Sequence, residues 1–179
     1  REKIGTGGHS PKEMLMAMMS AFRESYQGNT AEQKRWVEKT TSSEIYANYV
    51  FSWFPQAKFI HLLRDPRDNY ASLKSGWQAR YKERAGNPRE LIQSMIDRGR
   101  MGMELARYNS ELYGSDRYLL IKFEELTTNP QTKMQEISQF LNIEYDDCLL
   151  RPTVCGQLWK GNNFDGLEFT APSSINVNR

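Results

Sequence analysis

Residues 59–72 read FIHLLRDPRDNYAS: an apolar run that stops on an arginine, with a proline two positions later and a serine eight positions later. The apolar run extends upstream as AKFIHLL (57–63) and is continuous rather than alternating. That pattern predicts a central parallel strand covered on both faces. Asp65 is an N-capping residue type, and Pro66 suits the first position of a helix, so a helix is predicted from residue 66 onward. Arg64 then stands at the carboxyl end of a strand, where open α/β sheets hold their ligands.

Working outward, the same pattern recurs. RYLLIKF (117–123) predicts a second buried strand. Between the two strands, Asn87, Pro88 and Glu90 open a long helix that runs to Tyr113, with Gly114 as its left-handed cap. NPQTKMQEISQFL (129–141) predicts another helix, with Met134, Ile137, Phe140 and Leu141 inward. Upstream, KRWVEKT (34–40) reads as a short strand closing on Lys39. SEIYANYVFSWF (43–54) reads as a helix with Ile45, Tyr46, Tyr49, Val50 and Trp53 on one face, stopped by Pro55. HSPKEMLMAMMSAF (9–22) opens a first helix through Ser10 as N-cap, Pro11 in the first turn and Glu13 closing a capping box. Its methionines 14, 16, 18 and 19 are read as core filler.

Strands alternating with helices imply an α/β fold: a three-layer sandwich around a central parallel sheet with right-handed crossovers. The expected organisation is a single domain with a helical lead-in (1–33), an α/β core (34–142) and a C-terminal loop or lid (143–179) that holds CGQLWKGNNFDGLEF.

Composition narrows the functional classes. The chain has 179 residues, 39% hydrophobic and 26% charged, which suits one folded domain and argues against disorder. Its 24 basic and 22 acidic residues are intermixed and sum to +2, which argues against a nucleic-acid-binding stripe. No apolar run approaches the roughly 20 residues that span a bilayer. Cys148 and Cys155 read as ordinary thiols of a reducing compartment, so a cytoplasmic location is favoured. A Golgi-lumenal location stays open, for a relative that has lost its anchor. His9 and His61 share no metal-ligand spacing with the cysteines, and a metal site is disfavoured.

Three polar signatures fall at predicted strand ends: Lys39 after WVE, Arg64 after FIHLL, and FEEL after YLLI. Arg64 offers a planar, permanently charged fork that suits a phosphate. The predicted helix start at Asp65 and Pro66 is expected to leave backbone N–H groups free beside it for an anion. Ser72 lies about two turns into that helix, roughly 10 Å from its start. A phosphate reaching both groups must therefore lie beside the helix rather than on its tip. The competing reading is a plain capped helix in which Arg64 and Arg67 pair with Asp65 and Asp68.

Taken together, WVEKT, FPQAKFIHLLRDPRDNYASL and YLLIKFEELTTNP…FL resemble the PAPS-dependent sulfotransferase family, over residue 36 to about 142 and more loosely over 151–163. PAPS is 3′-phosphoadenosine 5′-phosphosulfate. The resemblance implies a P-loop-transferase-like fold in which Arg64 and Ser72 clamp the donor's 3′-phosphate. Lys39 matches the family's lysine at the phosphosulfate bridge, where a cation stabilises the charge that grows on the leaving oxygen. Phe123 stands where relatives often carry a tyrosine near the adenine, and base stacking on an aromatic is worth about 1–3 kcal/mol. Lys160 and Gly161, in LWKGNN, resemble the loop that closes over the 3′-phosphate. Glu124 is read as capping a helix or pairing with a neighbouring base.

The implied activity is metal-independent, in-line transfer of a sulfuryl group from PAPS to an acceptor hydroxyl or amine, with PAP as the product. The acceptor would be a small molecule, a glycan or a lipid; its identity is not legible. The alternative is a non-catalytic module that binds adenosine 3′,5′-bisphosphate. A P-loop phosphotransferase is disfavoured because no Walker-type lysine occurs. The chain departs from the family in one respect: its glycine- and serine-rich 5′-phosphosulfate loop is not found. IGTGGHSPK (4–12) has three glycines but no apolar strand before it, and reads as a lead-in. The first βα unit is thus expected to be missing from this sequence. Thr41 stands where one branch carries a histidine base, His9 is a distant candidate, and His61 is read as a core histidine. The expected base is a glutamate outside this sequence.

Overall fold

The computed structural model describes residues 10–27, 35–71, 88–154 and 157–158, which fall in two compact units, Arg1–Thr41 and Ser42–Arg179. The first unit holds α1 (Pro11–Gln27). Its start is the predicted capping box: the Glu13 amide donates to Ser10 Oγ (3.3 Å) and the Ser10 amide to Glu13 Oε2 (2.8 Å). The expected core role of the methionines fails for three of the four. Met14, Met16 and Met18 are exposed, whereas Leu15 and Met19, one turn apart, are half-buried. The expected strand at 34–40 is also overturned. Residues 35–40 form neither helix nor strand, all are exposed, and Val37 shows 85% of its surface. A strand needs a ladder partner, and none pairs with these residues among the described ones.

The second unit begins with a 3₁₀ helix, Ser43–Tyr46, that runs into α2 (Ala47–Trp53). The predicted inward face is displaced here. Ile45, Tyr46 and Tyr49 are exposed, and Ala47 and Phe51 are buried instead. The cause is helical pitch: a 3₁₀ turn advances 120° per residue rather than 100°, so the period read across 45–53 does not hold. Strand β1 (Phe59–Leu63) follows, then α3, described over residues 66–71. Next come α4 (Pro88–Tyr113), β2 (Tyr118–Lys122), α5 (Phe123–Thr128) and α6 (Pro130–Leu141). Gly114 ends α4 at φ 73°, a conformation that favours glycine.

β1 and β2 pair in parallel, in the register Phe59↔Tyr118 through Leu63↔Lys122. On one face, Phe59 stacks on Tyr118 (centroids 5.0 Å) beneath Ala47 and Phe51 of α2. Tyr113 packs on Phe51 (4.2 Å), closing an aromatic core in which each such pair contributes about 0.5–1.5 kcal/mol beyond its buried area. On the other face, Ile121 is 1% exposed. In α6 the four expected residues are half-buried, and Ser138 is the most enclosed, its hydroxyl donating to the Met134 carbonyl (2.8 Å). Lys58 ties α6 to the start of β1 by donating to the Phe140 carbonyl and lying over its ring at 4.7 Å.

Part of the expected C-terminal loop lies among the described residues. A 3₁₀ turn, Asp147–Leu150, precedes a short antiparallel pair, β3 (Thr153–Val154) with β4 (Gln157–Leu158). The architecture is therefore α/β, mostly helical, with a parallel sheet. No helix among the described residues is long and apolar enough to cross a membrane.

Candidate functional site

The parallel register carries past the strands. One step beyond Leu63↔Lys122 comes the pair Arg64 and Phe123, and a second step brings Asp65 and Glu124. Both pairs make contact. The Arg64 guanidinium carbon lies 4.6 Å from the centroid of the Phe123 ring, within cation–π range. The Asp65 amide donates to Glu124 Oε1 at 2.8 Å. The ends of two adjacent strands thus meet through consecutive residues on each side.

Arg64 is half-buried, and its Nε is buried without a hydrogen-bond partner. Among the described residues no carboxylate forms an ion pair with it. Its neighbour behaves differently. Arg67 takes Asp65 in a bidentate grip, Nη2 to Oδ2 at 2.6 Å and Nε to Oδ1 at 3.0 Å. Asp65 Oδ1 also accepts the Arg67 amide at 2.8 Å. These bonds, the side-chain ones foremost, lower the Asp65 carboxyl to a pKa of about 2 and raise that of Arg67.

The expectation of free N–H groups at the tip of α3 is corrected by this geometry. The Asp65 amide is held by Glu124 and the Arg67 amide by Asp65. Two of the donors that a helix start offers to an anion are already used. Behind the turn, α4 passes close: a Cβ on Gly99 would stand 3.6 Å from Pro66, an ordinary contact.

Arg117 provides a comparison. Its Nε is also buried and unpartnered, and its guanidinium lies over Phe51 at 4.3 Å. It precedes β2 and so stands at the amino end of the sheet, against the core aromatics. An orphaned guanidinium nitrogen alone does not mark a site; its place at the carboxyl strand ends does.

Of the residues expected at the site, the structure brings Arg64 and Phe123 together. Lys39 is exposed on the irregular segment 35–40 of the other unit rather than at a strand end. Ser72, Lys160, Gly161 and His9 lie outside the described residues. His61 is buried in β1 with Nδ1 2.8 Å from the Tyr118 hydroxyl, a core position. Asn109 of α4 donates to the same hydroxyl (3.3 Å) and to the Glu44 carbonyl (3.0 Å). Burial lowers the pKa of His61, against a smaller raising influence from Glu44, and pushes that of Tyr118 up to about 12.

The residue that sequence reasoning undervalued is Glu124. A capping role or a basic side-chain partner was expected, but its partner is a backbone amide on the other strand's exit. The signal that would have found it is the register, since 65 and 124 are separated by the same 59 positions as every pair of the ladder.

The chain is similar in sequence and in fold to several known proteins. The sulfotransferase domain of the olefin synthase from Synechococcus PCC 7002 superposes with a TM-score of 0.55 at 25% identity, covering 82% of this chain and 54% of that one. An omega-hydroxy-beta-dihydromenaquinone-9 sulfotransferase of Mycobacterium bovis is 24% identical over 148 residues, 79% of this chain and 37% of that protein. A protein-tyrosine sulfotransferase of Drosophila melanogaster is 26% identical over 103 residues, 58% of this chain and 20% of that protein. The chain thus spans well under two thirds of the relatives it matches. The profile of the Sulfotransferase family matches residues 8–147, a stretch that takes in both parallel strands and the junction beyond them, and the chain belongs to that family.

Proposed function

We propose that this chain carries the donor-binding part of a sulfotransferase that moves a sulfuryl group from PAPS to an acceptor hydroxyl. The observation that carries the reading is Arg64, a guanidinium at the carboxyl ends of two parallel strands with no carboxylate partner among the described residues, beside an arginine that has one. A buried, charged donor without an acceptor costs more than the roughly 1–3 kcal/mol of a neutral one, so an anionic ligand is the expected complement. The orphaned Nε and the two engaged amides at the helix tip fit a phosphate placed beside α3, where Ser72 would be its second contact.

Bound PAPS would supply an activated sulfuryl group, with PAP as its leaving group. Arg64 and Ser72 would hold the 3′-phosphate, and Lys160 and Gly161 would close over it. Phe123, one face of which is engaged by Arg64, would present its remaining surface to the adenine. Lys39 would neutralise charge on the leaving oxygen; its support is its match to the family's lysine position. The names of two relatives specify acceptors with a hydroxyl, tyrosine in one and an omega-hydroxy menaquinone in the other, which favours a hydroxyl over an amine here.

Transfer of ³⁵S-sulfate from labelled PAPS to a panel of phenols, alcohols, amines and glycans tests the activity, and calorimetric titration with adenosine 3′,5′-bisphosphate tests the clamp. The expected results are labelled product with a hydroxyl acceptor and an affinity that Arg64→Ala weakens at least about tenfold. Binding without transfer would identify a nucleotide-binding module instead. Unchanged affinity in the variant would remove Arg64 from the site.

A further inference from the structure

The clasp between the strand ends makes more of Glu124 than a helix-start carboxylate. The N–H that it accepts belongs to the Arg64–Asp65 peptide, so the 2.8 Å bond fixes the plane of that peptide and with it the backbone from which the arginine side chain leaves. The other end of the same side chain rests on Phe123 at 4.6 Å. Arg64 is therefore gripped at its backbone and at its tip by two consecutive residues of the neighbouring strand's exit. Glu124 is itself anchored: its carbonyl accepts the hydroxyls of Thr127 (3.0 Å) and Thr128 (2.8 Å). Its carboxylate also occupies an amide that a phosphate would otherwise bind at the start of α3.

We propose that Glu124 is a positioning residue of the donor clamp, acting through the Asp65 amide to hold Arg64 in its phosphate-binding pose and to steer the phosphate off the helix tip. The inference rests on the clamp reading given above and adds to it a residue that never touches the donor. Because the bond needs an acceptor oxygen rather than a charge, glutamine can replace the glutamate and alanine cannot.

The experiment is a titration of adenosine 3′,5′-bisphosphate into the full chain and into Arg64→Ala, Glu124→Ala, Glu124→Gln and the Arg64→Ala/Glu124→Ala double variant, with thermal unfolding of each ligand-free protein alongside. Glu124→Ala is expected to weaken binding about five- to twentyfold, Glu124→Gln less than about twofold, and the double variant no more than about twofold beyond Arg64→Ala. A merely structural glutamate would lower the unfolding midpoint without this dependence on Arg64. Should Glu124→Ala fail to fold, Glu124→Met, close in volume and without an acceptor oxygen, takes its place. Full affinity in the alanine or methionine variant, an equal loss with and without Arg64, or a glutamine variant as weak as alanine overturns the inference while leaving the clamp standing. Full affinity in Arg64→Ala alone overturns the clamp itself.

Discussion

Arg64 and Arg67 lie three positions apart on one turn and have opposite surroundings. Arg67 spends its charge on Asp65, and the pair is exposed and local. Arg64 lies over an aromatic ring, and among the described residues no carboxylate pairs with it. Arg67→Ala is accordingly expected to leave bisphosphate affinity within about twofold of the parent. It should also raise the Asp65 pKa from about 2 toward the ordinary carboxylate value, readable by NMR titration of the carboxyl carbon. Because the Asp65 pKa is depressed in the folded state, its contribution to stability is complete above the unfolded value and is lost as pH falls toward 2; the variant should flatten that acidic limb. For Lys39→Ala, turnover is expected to fall on the order of 10²–10³-fold, while donor affinity changes less than about threefold. Equal changes in both would reduce Lys39 to a binding residue.

At the scale of elements, what a segment's own pattern predicts survives when the pattern is closed by local chemistry. α1 starts where its capping box says, and α4 ends where Gly114 turns into the left-handed region. A side chain at Gly114 would meet open space, so Gly114→Ala isolates backbone strain of about 1–2 kcal/mol. For a domain of this size that corresponds to an unfolding midpoint lower by about 2–8 °C, measurable by calorimetry. Patterns without local closure fared worse. KRWVEKT has strand-like residues but no ladder among the described residues, and the helix at 43–54 turns a different face inward because its first turn is 3₁₀.

At the scale of the whole molecule, β1, α4 and β2 form one parallel unit whose sheet face is sealed by a polar contact at its centre. His61 is buried in that face beside the Tyr118 hydroxyl, and burial keeps its pKa below the ordinary 6.5. A histidine depressed in the folded state binds fewer protons than in the unfolded chain, so stability rises with pH through this window. The stabilisation of neutral His61 is complete above about pH 6.5 and diminishes as pH falls below it. The unfolding midpoint should therefore drop between pH 7 and pH 5, and His61→Gln should remove most of that slope. A slope unchanged by the substitution would assign it to other groups.

Much of this was legible in residue order. Apolar run length marked both strands, capping residues marked α1 and α4, apolar spacing marked α6, and the arrest of FIHLL on Arg64 placed a guanidinium at a strand end, because each of these signals acts between near neighbours in the chain. What residue order left open was partnership. Asp65 had two arginines within reach and Glu124 had no evident partner, and nothing in their types chooses between the options. Asp65 took the arginine two positions away. The 59-residue register of the parallel ladder brought Glu124 to the Asp65 amide and Phe123 to Arg64, since one step of slip would turn every side chain to the opposite face and separate both contacts. Long-range pairing answers to the packing of the entire sheet, which is why the clasp on Arg64 appears only once the strands are side by side.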